Sequence, residues 1–529
     1  MKFYFTPLFL LCFFISPAQT KKVSFKLGPG YDVPEVYAAS NFWVSENGTP
    51  SLVTFPVKKK AINIAIFDPA SLSMKRESSI DLNNFSKTNV NDGFIDFGTD
   101  YYWMHSDWDK VNGIELLYAD KLDINSGKFT TTNNLINKTS RLTGLLVRLN
   151  SGPGIVNKYR FTQDIDKKKM LVSYRVSPEI KNNDKNFDKL GFLILDEKMN
   201  KVWGNEFIMP YTESIMENRG ICVDSKGNVY LLAKIYDSEK RDEKDKKTGS
   251  VAYHFEVFKF SGDSKIITQI PVVTGDNFIK EALLTENSSH KIVVSFIYSK
   301  DLDNKNADGV FIATLDENGN VNKIKTGFHE FREYESEIQK SLNAQERKKS
   351  IPADLAIRDI FFEKDGSIFI VCEIYGLEKD IAKGYTSSKE VSQGYEIEHN
   401  GDIVTGKINV NGDFEWLKKI RKHQTNSLGF RTIYDNSGYY FLYVDNRKNF
   451  SLPESEEPEL FNALFGGQLI LSKIDRSGKI TKENVFDNGQ ETVAFFSPRN
   501  SIKKFTTNQY YGRCTTKNIG FTPFILKLN

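Results

Sequence analysis

The segment Tyr101-Tyr102-Trp103-Met104-His105-Ser106-Asp107-Trp108-Asp109 is the densest run of functional groups in the chain. Trp103 and Trp108 beside Asp107 and Asp109 suit a saccharide, with rings to stack on its apolar face and carboxylates to accept from its hydroxyls. His105 with two nearby carboxylates suits proton transfer or a metal ion. The competing reading is structural: alternate aromatics pack a sheet, and the aspartates cap its turn. A second set is basic. Arg160, Arg219, Arg358 and Arg431 would grip a carboxylate, sulfate or phosphate through paired N–H donors if the fold brings them to one place. Local pairing with neighbours such as Glu281 and Asp359 is the alternative.

Other chemistry is thinly represented. The stretch 301–309, DLDNKNADG, opens like a calcium loop, but Lys305 takes a ligand position and the turn glycine is missing. The six His are far apart, with no H-E-x-x-H. Nucleophile-elbow, phosphate-loop and dinucleotide motifs are absent from the sequence, so no metal and no cofactor is expected. Paired carboxylates for glycoside hydrolysis stay open, since in a ring of repeats they would come from different units.

The elements that must position these residues repeat. Short apolar runs break at a polar turn and resume at FDPASLS (67–73), LDINSGKF (122–129), LDEKMNKV (195–202), FSGDSKI (260–266), LDENGNV (315–321), NVNGDFE (409–415) and IDRSGKI (474–480). A second series, VDSKGNVYLL (223–232), FEKDGSIFIV (362–371) and YDNSGYYFLY (434–443), interleaves with it. Asp at such turns bonds the backbone two residues on, and Gly supplies the positive φ. Residues 217–270 show one full unit of four strands, A to D, in up-and-down order. The reading is an all-β, single-ring β-propeller of four-stranded antiparallel blades over 19–529. Eight blades are expected, with seven as the alternative. The C-terminal unit lacks a fourth strand, and VSFKLG (23–28) is a strand without a blade. Pairing the two would close the ring and remove its exposed edges. VDSKGNVYLLA and LDENGNV resemble the D-x-x-G-N-x-Y/V turns of NHL-like propellers. That resemblance covers turn chemistry and implies the fold, not an activity. The sialidase-type Asp box and the WD40 signature are absent.

In an up-and-down blade, the B–C and D–A connections share one pole. Here these are the long ones: 105–113, 177–190, 237–250, 300–308, 376–401, 445–467, 131–157 and 326–355. That pole is expected to carry function. Segment 238–247, SEKRDEKDKK, reads as a solvated loop. Residues 328–349 place Phe328, Phe331, Tyr334, Ile338 and Leu342 at helical spacing, so a capping helix is expected there. PELFNALFGG (458–467) reads as a helical lid.

Residues 1–18 read as a secretory signal peptide: Lys2, an apolar run from Phe3 to Ile15, and the small-x-small pattern Ser16-Pro17-Ala18. The run is too short to span a bilayer, and bulky residues before Cys12 argue against lipidation. An exported protein without a transmembrane segment is expected, periplasmic or secreted. The remaining cysteines, Cys222, Cys372 and Cys514, lie in apolar runs and read as buried. Basic and acidic residues nearly balance, 71 against 68, so composition favours no nucleic-acid partner. Two functions fit. The preferred one is an exported binding propeller recognising a glycan, a small anion or a partner protein on its loop-rich pole. The alternative is a propeller hydrolase or lyase acting on a saccharide or lactone at the channel mouth.

Overall fold

A computed structural model describes residues 23–528 except 33–39, 56–60, 150–151, 179, 181–184, 263, 304–305, 317, 332–353, 387–388, 436, 453–455, 463–465, 489–492 and 517–518. The segment 1–18, expected to be a signal peptide, lies outside the described residues.

Eight antiparallel sheets form the ring, so the blade count is eight. Blades 1 to 7 run in sequence order, each with strand A inside and strand D outside. The inner strands of neighbouring blades contact one another around the axis. Blade 8 is completed by the N-terminal strand Val23–Leu27, which pairs with Ile519–Leu528 from Val23↔Leu528 to Leu27↔Phe524. The closure is also apolar. Phe25 packs on Phe486 of blade 7 and Phe524 of blade 8, with ring centroids 4.9 and 5.1 Å apart. Between blades, mixed aliphatic and aromatic clusters fill the wedges; Phe255, Phe296 and Phe311 link blades 4 and 5.

The recurring turn does what its residues predict. Asp224 Oδ1 accepts from the N–H groups of Lys226 and Asn228, at 3.0 and 2.7 Å, and Gly227 takes φ +87°. Asp316 and Asp475 repeat this, and Asn409 substitutes for Asp in blade 6. The three cysteines are free and buried, and burial pushes each thiol up.

Several local expectations are corrected. Residues 328–330 belong to the strand Val321–Glu330, where Phe328 pairs Phe311, and not to a helix; 332–349 lie outside the described residues. Residues 458–462 form no helix: Phe461 is buried and bridges Gln424; 463–465 lie outside the described residues. The 376–401 connection is a paired β-ribbon continuing Ile368–Thr386 into Lys389–Ile408. Segment 238–247 is mostly exposed, as expected, but Glu243 anchors it to the buried Lys234 at 2.6 Å. Strand D of blade 2 is split, a short Lys128–Phe129 followed by Leu135–Thr139. A hairpin, Leu145–Leu149 with Gly152–Val156, then precedes blade 3.

Candidate active-site pole

Local geometry on strand A decides which side chains can act. Four inner strands carry a β-bulge near their start, between Asn91/Gly93, Asn218/Gly220, Ile279/Glu281 and Ile357/Asp359. The extra residues are therefore Asp92, Arg219, Lys280 and Arg358. A bulge re-aims a side chain that regular pleating would turn elsewhere. Blades 3 and 7 have no such shift at Arg160 and Arg431.

The four predicted arginines consequently part company. Arg160 and Arg219 line one open cleft of about 370 Å³ between blades 3 and 4, with Lys158, Tyr159 and Arg175. Arg160 is exposed, and its side chain has no partner among the described residues. Arg219 touches Glu217 at 3.3 Å. Arg175 is already committed to Asp188 and Glu213. Arg358 lines a second cavity, of about 220 Å³, beside blade 7. There it donates from Nε and Nη2 to Glu373 Oε2, at 2.8 and 2.7 Å. Arg431 is withdrawn: burial lowers its pKa, and its Nη1 donates to the Arg499 carbonyl at 3.3 Å. Glu281, on strand A of blade 5, lies between the two sets. Burial pushes its carboxyl up, and Arg358 and Arg219 oppose this.

The aromatic segment is placed differently from a surface platform. It forms strand B of blade 2, Tyr101–Asp109, and its connection to strand C is only a tight turn. Trp103 is 1% exposed, donates to Asn91 Oδ1 at 2.9 Å, and packs in the blade 1–blade 2 wedge. His105 is fully buried and stacked between Trp103 and Tyr118, with Nε2 3.0 Å from Asp120 Oδ2. Neither ring is within reach of a ligand in this arrangement. Asp109 caps the turn by accepting from Val111 and Asn112, and Asp107 accepts from Thr88 and the Trp108 N–H. The half-buried Trp108 follows it on the strand.

Sequence reasoning missed a cluster directly behind the first cleft. Lys158, on the cleft wall, is ion-paired to Glu115 and both are buried. Beside them lies Asp92, the bulge residue of blade 2. Both its carboxylate oxygens are shut off from water without a well-formed hydrogen bond, as are the hydroxyls of Ser106 and Tyr159. Burial pushes Asp92 up to about 7; Ser106 and Lys158 pull it back, and Glu115 adds to the rise. Burial raises Glu115 as well, against Lys158. A carboxyl raised this way stabilises the fold below about pH 4, and that stability is lost as pH rises through about 7. Asp92→Asn is therefore expected to flatten the fall in stability between about pH 4 and 7 and to stabilise the protein at pH 8, read by urea denaturation. Asp445, pushed to about 7 by burial, keeps part of the slope. Parallel pH profiles for variant and parent would defeat this account. The only signal in the sequence was the polar pair Asn91-Asp92 at a strand start, which has no spacing rule.

Sheet count, strand order and ring closure define the protein as an eight-bladed β-propeller with its clefts on the pole of long connections. No family model matches the chain, and no curated protein matches it. Among solved structures it is similar to the polysaccharide lyase Uly1, at 9% identity over 83% of this chain and 90% of that one, TM-score 0.37. A polysaccharide lyase described as an ulvan lyase gives 11% identity over 81% and 90%, TM-score 0.37. Prolyl oligopeptidase B from Galerina marginata gives 8% over 96% of this chain and 55% of its own, TM-score 0.38. The chain thus spans just over half of that peptidase. No residue role is carried over from any of them.

Proposed function

We infer that this is an exported binding propeller that recognises an acidic saccharide at the cleft between blades 3 and 4. The observation that carries this reading is the meeting of Arg160 and Arg219 in one open cleft, neither held by a strong ion pair. Two guanidinium forks on rigid inner strands suit carboxylate or sulfate groups, and Tyr159 and Tyr174 supply ring edges. Charge-assisted hydrogen bonds contribute about 1.5–3 kcal/mol each. The double variant Arg160→Ala/Arg219→Ala is therefore expected to weaken binding of glucuronate oligomers by roughly tenfold or more in calorimetric titration. Neutral glucose oligomers should bind weakly to both proteins. Equal affinity of parent and double variant for the acidic oligomers would reject the assignment.

A second reading, an enzyme acting on the same saccharide, draws on Asp92 and Glu115. Both carboxyls have a raised pKa, as acid–base groups often do, but they lie behind Lys158 rather than on the cleft wall, so this reading needs them to be reached through it. Turnover of the oligomers that disappears in Asp92→Asn while binding persists would favour it over simple recognition.

A further inference from the structure

The cavity beside blade 7 is built around an unusual backbone. Asn426, Ser427, Leu428 and Gly429 all have positive φ, at 59°, 76°, 130° and 62°. For a buried, branched residue such as Leu428 this is a strained conformation that its surroundings must impose. They do so from several sides. The Asn426 N–H donates to the Glu398 carbonyl at 3.0 Å, buried Gln424 accepts from the Gly429 N–H at 3.0 Å, and Ser497 Oγ donates to the Leu428 carbonyl. The peptide N–H groups of Ser427 and Leu428, by contrast, have no partner among the described residues. Successive free N–H groups in a tight loop form an anion-binding concavity.

Arg499 completes the site. It sits on a helical turn, Pro498–Ser501, inserted into the inner strand of blade 8 between Val493–Phe495 and Lys503–Lys504. Phe495 pairs Cys514 and Lys503 pairs Tyr511, so residues 496–502 bulge out opposite only Gly512 and Arg513. This places Arg499 on the wall of the same cavity as Ser427. Arg499 is exposed, and its guanidinium makes no hydrogen bond or close ion pair among the described residues, although it lies in the field of Asp359 and Arg431. Of the charged groups on the cavity wall, Arg358 is already paired with Glu373, which leaves Arg499 opposite Glu398 with Asp359 nearby. Glu398 and Asn400 leave acceptors for a hydroxylated body, while the Tyr375 ring is already faced by the Arg358 guanidinium at 5.2 Å.

We propose that this cavity is a separate binding site for a small polyhydroxy monocarboxylate, a single sugar acid, whose carboxylate is held by Arg499 and the N–H groups of Ser427 and Leu428. The site is distinct from the blade 3–blade 4 cleft and stands whether or not that cleft binds oligomers. The probe is glucuronate, titrated calorimetrically into the full chain, with glucose and inorganic sulfate as comparisons. Glucuronate should bind, glucose should not, and sulfate should bind more weakly. Arg499→Ala is expected to cost at least tenfold in affinity and Arg499→Lys less. In the Arg160→Ala/Arg219→Ala background, which removes the arginines of the other cleft, Arg499→Ala should still cost at least tenfold in glucuronate affinity. Amide exchange of the peptide spanning 426–430 should slow when glucuronate is added. No glucuronate binding, equal binding of glucose, or an Arg499→Ala variant of parental affinity would overturn the proposal. Loss of glucuronate binding in the Arg160/Arg219 variant alone would overturn it too, while leaving the cleft reading intact.

Discussion

Glu373→Gln is expected to destabilise the fold by about 3–5 kcal/mol, the usual cost of removing one partner from a buried ion pair. Glu373 is 1% exposed and Lys422 is fully buried. One carboxylate oxygen accepts from Lys422 Nζ at 2.7 Å, and the other holds Arg358. Glutamine keeps the shape but removes the only charge that balances both cations directly. Lys422 would keep the Asn400 carbonyl and Gln424 Oε1, each at 3.1 Å, which are neutral acceptors. The measurement is urea denaturation of the single variant and of Glu373→Gln/Lys422→Met. The double variant should recover part of the loss, since it no longer buries an unpaired ammonium. A single-variant loss under about 1 kcal/mol, or a double variant worse than the single, would contradict this account. The triad also holds Gln424, and through it the left-handed loop 426–429, so partial loss of that loop's exchange protection should accompany the destabilisation.

Trp103→Ala is expected to cost a similar amount, about 3–5 kcal/mol, through cavity formation in the blade 1–blade 2 wedge. The indole stacks on His105 with centroids 4.1 Å apart and contacts Phe85 edge-on at 5.2 Å. Its loss also leaves Asn91 Oδ1 without its donor. The distinguishing outcome is a large fall in melting temperature with unchanged affinity for acidic oligomers, measured where the variant is still folded. A variant of parental stability but lost affinity would return Trp103 to a ligand site.

These two residues mark where sequence reading succeeds and where it stops. Trp103 stands out by type, because aromatic rings serve both sugar stacking and wedge packing. Only its 1% exposure decides between them. Glu373 and Lys422 lie far apart in sequence and follow no spacing rule, so their pairing was invisible. The arginines were visible as a set because repeats align them to within about a residue. Bulges then decided their aim: Arg219 and Arg358 are the extra residues of their strands, while Arg431, on an unshifted strand, is half-buried and donates to the Arg499 carbonyl.

Turns, strand alternation and the repeat of blades are local or periodic properties, and the amino-acid sequence determined them; the missing strand of the last repeat also pointed to the closure between the two ends. Each depends on residues a few positions apart or on a repeat that recurs. The burial of Asp92, the split of the arginines into two cavities, and the insertion carrying Arg499 were decided by the tertiary structure. The physical reason is that a one-residue shift in a strand reverses a side chain's direction, and such shifts are set by packing between blades.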